Sequence, residues 1–179
     1  MTRIAPLELA SATPIERETL LGIEKHHGSA TNMKRTLARS PAALHALLTW
    51  YPLRDRALAF LGARGISLFC HAISTGSECL LCSTYFRREL IDAGEDPGAL
   101  HVEDPLAAVV EYGALLASNA NAVPDELWQR LRKSYSDTEL VDLTAFGALM
   151  IATNVFNNAL QVELDPSLTR YRAADEVHA

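Results

Sequence analysis

The sequence predicts an all-helical protein, and three observations carry that prediction. Apolar residues recur at helical spacing in one segment after another, as in Leu44, Leu47 and Leu48, which marks one face of a 3.6-residue period. Helix punctuation brackets those segments, with Thr13-Pro14, Ser40-Pro41 and Ser136 at starts and Gly28 and Gly94 at ends. No run alternates apolar and polar residues between turn signals, the pattern a half-buried strand needs.

Residues 1–12 carry Ile4, Leu7 and Leu9 without a sustained period and read as an extended arm. A first helix opens at Thr13-Pro14, runs through Leu20, Leu21 and Ile23, and closes at Gly28. Asn32 to Ala38 reads as a short helical turn, and Ser40-Pro41 opens a helix that Pro52 ends or kinks. From Arg54 to Ile73, Leu58, Leu61, Ile66 and Phe69 read as one or two helices crossing Gly62 and Gly65. The next helix runs to about Ala93 and stops at Gly94. Pro105 to Ser118 and a short segment from Pro124 to Lys133 follow. Ser136 and Glu139 have the spacing of a capping box for a long last helix from Asp137 to about Val162. From Leu143 to Phe156 that helix is apolar nearly all round, so it should be buried on all sides, within the domain or under a second subunit. No repeat or linker divides the chain. One domain over residues 1–179 is the reading, with residues 1–12 as an arm and 166–179 as a tail.

Composition narrows the classes of function. A net charge of -6 with no basic cluster argues against a nucleic-acid partner. The chain is 49% hydrophobic and 21% charged, an ordinary globular balance. Leu143 to Phe156 is too short and too polar to span a bilayer, and no charged-then-apolar leader opens the chain, so a cytoplasmic protein without a membrane partner is the expectation. Three cysteines, an odd count, fit a reducing compartment better than a structural disulfide framework.

The stretch that carries chemistry is Ser74 to Gly94, with Cys79 and Cys82 spaced Cys-x-x-Cys. Gly76 breaks an apolar run, Thr75 and Ser77 can each cap a new helix, and Thr75 with Glu78 has capping-box spacing. Both cysteines then fall in the first turn or two of a helix. Residues three apart share a face, and the helix N-terminus favours negative charge, so at least one thiol should ionise more readily than free cysteine. That is a dithiol able to cycle between reduced and oxidised states. A zinc site would need two more ligands, and no Cys or His follows until His101. The remaining alternative is a pair of inert buried cysteines beside Leu80 and Leu81.

The dithiol helix after Thr75-Gly76, the helices from Pro105 and Pro124, and the segment from Ser136 to Asp165 together resemble the carboxymuconolactone decarboxylase and alkylhydroperoxidase D superfamily. The resemblance covers roughly residues 40–165. It implies an all-α, alkylhydroperoxidase D-like helical bundle, assembled into homo-oligomers, with no bound cofactor and no metal. It further implies that Cys82 attacks a hydroperoxide or disulfide substrate, that Cys79 resolves the sulfenic acid, and that a thiol reductant restores both. The same branch places a histidine four residues after the second cysteine and a glutamate about a dozen before the first. This chain has Phe86 at the one and Ser67 at the other, or Gly65 with a two-residue insertion.

Few residues can substitute for that proton relay. His71, on the preceding helix, can fold back towards the sulfurs. Glu78 and Tyr85 are further candidate proton donors, although Glu78 points away around the helix. Cys70 reads as core, His26 and His27 as a solvated helix end, and Arg87 and Arg88 as a solvated face or an anion lure. Asn154, Asn157 and Asn158 share a face suited to bonds across helices. Two alternatives stand beside a thiol-dependent peroxidase or disulfide oxidoreductase. One is a carboxymuconolactone decarboxylase-like lyase, disfavoured because Ser83 and Thr84 stand where that branch carries histidines. The other is a non-catalytic member acting as an oligomeric binding protein, which the missing relay favours.

Overall fold

The computed structural model describes residues 2–27 and 30–173. Among these, eight α-helices and three 3-10 turns form the chain, with no strand. They are α1 (Pro14–His27), α2 (Asn32–Leu37), α3 (Pro41–Leu48), α4 (Pro52–Gly76), α5 (Leu80–Asp92), α6 (Leu106–Asn119), α7 (Asp125–Arg132) and α8 (Asp137–Leu160). The all-α reading and the order of its elements stand. Gly28, the expected end of α1, lies outside the described residues.

Local chemistry explains most of the boundaries. Thr31, Ser40 and Ser136 each accept a backbone N–H of the first helical turn through the side chain. Glu139 completes a capping box by accepting from the Ser136 backbone N–H at 2.8 Å. Gly62 breaks α4 with φ 69° and ψ 173°, so the two halves of that long segment meet at a kink. Gly94 takes φ 85° and ends α5.

The core has two parts. In the larger, the second half of α4 lies against α6 and α8, burying Phe69, Ile73, Val109, Leu143 and Phe146 almost completely, while α7 adds Leu127 and Leu131. Phe69 sets the spacing of the three helices. A Cβ on Gly113 of α6 would lie 2.9 Å from the Phe69 ring and 3.1 Å from its carbonyl oxygen, and one on Gly147 of α8 would lie 3.1 Å from the ring tip and 2.7 Å from Leu116. Both glycines are there because α6 and α8 approach Phe69 too closely for a side chain. The smaller cluster joins Leu7, Leu20, Ile23, Met33, Leu37 and Leu44 from the N-terminal residues to Cys79, Leu81 and Cys82 of the dithiol segment. The N-terminal layer therefore roofs the dithiol.

Three sequence readings change. Residues 1–12 are not simply extended, because Leu9–Ser11 form a 3-10 turn and Leu7 is fully buried. The C-terminal tail opens with a 3-10 helix, Pro166–Tyr171, which buries Leu168 and whose Tyr171 hydroxyl donates to Asp92 at 2.8 Å. Helix α8 is not enclosed by its own chain, since Val141, Ala148, Ala152, Val155 and Ala159 form an exposed stripe along it. By length and composition, two stretches suffice to cross a membrane, Pro41–Gly76 and Asp137–Leu160, but 50% and 44% of their most apolar windows are packed inside the protein. They are placed as the core helices of this bundle.

Gly113→Ala adds one methyl group where α6 meets Phe69, and crowding outweighs the gain in helix propensity of about 1 kcal/mol. The net loss is expected at roughly 1–3 kcal/mol, read as a drop of several degrees in Tm by calorimetry.

Candidate active site

The site is built on the reversal between α4 and α5. Helix α4 ends at Ser77, and Glu78 follows with φ 51°, in the left-handed region where glycine is usual. The Cys79 N–H donates to the Ser74 carbonyl at 2.9 Å and the Glu78 N–H to the Thr75 carbonyl at 3.0 Å. These two bonds form a Schellman motif. The last residue of that motif is also the first of the next helix, since Cys79, with φ -92° and ψ 95°, is the N-cap of α5. The expected caps, Thr75 and Ser77, belong instead to the end of α4. Gly76 is not the turn that its position suggests. It remains helical and lets α6 come close, because a Cβ there would lie 3.1 Å from the Ala117 Cβ and 3.4 Å from the Ala114 carbonyl oxygen.

Cys79 is the N-cap of α5 but forms no side-chain capping bond. Its thiol is held below its ordinary range first by a bond from the Cys82 thiol and then, against the burial that opposes it, by the nearby backbone N–H groups and the Asn157 amide. Cys82 is pushed well up, first by that same bond and then by burial. The first proton the pair loses therefore comes more readily from Cys79 than from Cys82. Helix α8 closes the arrangement. The Asn157 amide N–H donates to the Cys82 sulfur at 3.1 Å, and the Asn158 amide N–H to the Ser77 carbonyl at 2.8 Å.

Cys82 opens onto a cavity of about 240 Å³, and Cys79 does not line it. Ile66, Phe86, Phe146, Leu149 and Met150 give it apolar walls, and Lys34, Arg54, Glu89 and Asp165 are its charged lining residues. Both positions at which the relay is missing, Ser67 and Phe86, lie on this wall. Neither offers a group that titrates near neutral pH, since one is a hydroxyl and the other a phenyl ring. Of the proposed donors, Tyr85 lines the cavity; His71 and Glu78 do not, and Glu78 is exposed. Cys70 is fully buried on the same wall, and burial pushes its thiol far up, as a core cysteine requires. Arg88 stacks on the Tyr85 ring with its guanidinium carbon 4.4 Å from the ring centroid and pairs with Glu89, and neither it nor Arg87 lines the cavity. The side chains of His26 and His27 lie outside the description. Among the described residues no group of three or more His, Cys, Asp or Glu side chains is placed to hold a metal ion.

The sequence reading had missed two cavity residues. Tyr51, just before α4, and Arg54, one turn on, both face the site. The Tyr51 phenol is pushed up by burial first, then by Tyr85 and Cys82 nearby. No motif marked either residue; their only signal was the turn before Pro52. The expectation that Asn157 bonds across helices holds, and its partner is the Cys82 sulfur.

No family model matches the chain, and no curated protein matches it. Solved structures do. The chain is similar to the debrominase Bmp8 in its apo form, with a TM-score of 0.76 and 16% identity over 96% of both chains. A cysteine-to-alanine variant of that debrominase holding 2,3,4-tribromopyrrole gives 0.71 and 16%, covering 99% of this chain and 98% of the other. An alkylhydroperoxidase AhpD core, an uncharacterised peroxidase-related protein from Ralstonia eutropha JMP134, gives 0.66 and 17%, covering 93% and 94%. These likenesses give the chain the alkylhydroperoxidase D-like fold.

Asn157→Leu keeps the volume and removes the donor to the sulfur pair. A hydrogen bond to a charged group is worth about 1.5–3 kcal/mol, so the first ionisation of the dithiol is expected to rise by about 1–2 pH units, followed by ultraviolet thiolate absorbance.

Proposed function

We propose that the protein is a dithiol reductase of small electrophiles, acting first as a thiol-dependent peroxidase with Cys82 as the attacking sulfur and Cys79 as the resolving one. The observation that carries this reading is the division of roles between the two sulfurs. Cys82 borders the cavity, and Cys79 lies behind it at the helix N-terminus. When the Cys82 proton moves to the Cys79 thiolate, the charge passes to Cys82, where the Asn157 amide donates. The Cys82 thiolate then attacks the distal oxygen of a hydroperoxide; the S–O bond forms, the O–O bond breaks, and the alkoxide leaves with a proton from the cavity wall. Cys79 attacks the sulfenic acid, the disulfide forms, and hydroxide departs as water with the Cys79 proton. A small thiol reductant restores the pair.

A second substrate reading follows from the likeness to a debrominase over nearly the whole chain, joined to a cavity that is largely apolar and aromatic. Here the thiolate takes bromine from a brominated heteroaromatic ring, the ring carbon takes a proton, and Cys79 displaces bromide to form the same disulfide. Both readings need the same two sulfurs, and they differ in the product. We also propose that a second copy of the chain covers the exposed α8 stripe. A lysine at Val155, which is 60% exposed, should then lower the assembly state in sedimentation without unfolding the chain.

The test is alkylation against pH, read by mass spectrometry at Cys70, Cys79 and Cys82, before and after one equivalent of hydroperoxide. Because the Cys79 thiol is depressed, the pair's reactive anion is expected to persist below the free-thiol value of about 8.5 and to be lost as pH falls through the depressed one. Peroxide should convert Cys79 and Cys82 to a disulfide and leave Cys70 reduced. Thiols that titrate like free cysteine, or stay reduced in peroxide and in the presence of a bromopyrrole alike, would sink the proposal. Bromide release measured in parallel distinguishes the two substrates.

A further inference from the structure

We infer that Tyr51 delivers the proton to the leaving group, in place of the relay absent at Ser67 and Phe86. The inference rests on the thiol reading above and adds to it the acid that the reading requires. Displacement at oxygen runs in line, so the leaving alkoxide departs on the side away from the attacking sulfur. Tyr85 stands one turn from Cys82 on the same helix, beside the nucleophile, and its ring is held by the Arg88 guanidinium and the edge of Phe86. Tyr51 enters the cavity from another element, the corner between α3 and α4, and is close enough to Cys82 and Tyr85 to feel both as charges.

Lys34 also lines the cavity, and burial disfavours its charged, proton-bearing form. Glu89 is paired with Arg88, and Asp165 accepts the Asn32 backbone N–H at 2.8 Å. Cys70 is buried in the α4 core. A phenol is protonated at neutral pH and is a stronger acid than the alcohol whose alkoxide it would protonate. Arg54, three residues on, lines the same cavity and adds a positive charge to it. In balance, Cys82 sulfur gains oxygen and is oxidised, the O–O bond is reduced, the alkoxide takes the Tyr51 proton, and Tyr51 regains one from water.

The experiment compares Tyr51→Phe with the wild type on two oxidants, with thiol reductant in excess. One is tert-butyl hydroperoxide, whose alkoxide must be protonated. The other is peracetic acid, whose carboxylate leaves without help. Tyr51→Phe is expected to lose about 10²–10⁴-fold in kcat/KM with the hydroperoxide, and to stay within about threefold of wild type with the peracid. Its Cys82 alkylation rate should not change. Tyr51→His, which restores a proton donor, should recover part of the hydroperoxide activity and serves also if the phenylalanine variant folds poorly. Equal losses on both oxidants would assign Tyr51 a structural role, and no loss on either would remove it from the reaction; each overturns the inference. If wild type consumes neither oxidant, the peroxidase reading fails as well, a result distinct from a defect confined to Tyr51→Phe.

Discussion

The reversal between α4 and α5 is the constraint on which the site depends. A Schellman motif that ends one helix on the residue capping the next leaves no spacer between them, so the direction of α5 is fixed by two backbone hydrogen bonds within residues 74–79. This places Cys79 where unpartnered amide groups converge. It also sets Cys79 beside Cys82, whose thiol does most to ease its ionisation. Glu78 bears the cost, because a left-handed conformation disfavours a residue with a Cβ by about 1–2 kcal/mol. A residue held there is a place where local preference yields to the geometry of the site.

That reversal is held in place by the bundle. Phe69 fixes how closely α6 and α8 approach α4, through the glycines opposite it. With α8 at that distance, Asn158 reaches the carbonyl of Ser77 and Asn157 the sulfur of Cys82. One helix thus secures the end of α4 and the charge on α5, and the hydrophobic packing that aligns it supplies the electrostatics of the pair.

The fold was legible in the sequence because its signals are local. Ser40-Pro41, Ser136 with Glu139, and Gly94 each mark a boundary through atoms a few residues apart. The dithiol and its location at a helix start were legible on the same ground. The boundary itself was misread because Gly76 looks like a turn residue and Glu78 does not. Gly76 is required by a contact with α6, more than 35 residues away in the chain, which no local pattern records. Tyr51 and Arg54 were missed for a related reason. They reach Cys82 only because the kinked α4 and the N-terminal layer fold over it, and nothing in their own neighbourhood suggests chemistry.

The seam between the two core clusters has a consequence of its own. The sulfurs stand on α5 and Asn157 on α8, while Thr31, Met33, Lys34, Tyr51 and Arg54 come to the cavity from residues 31–54. The cavity is thereby assembled from two separate pieces of chain that meet only there. Sequence change at Thr31 or Met33 can reshape it while the backbone that holds the two sulfurs stays as it is.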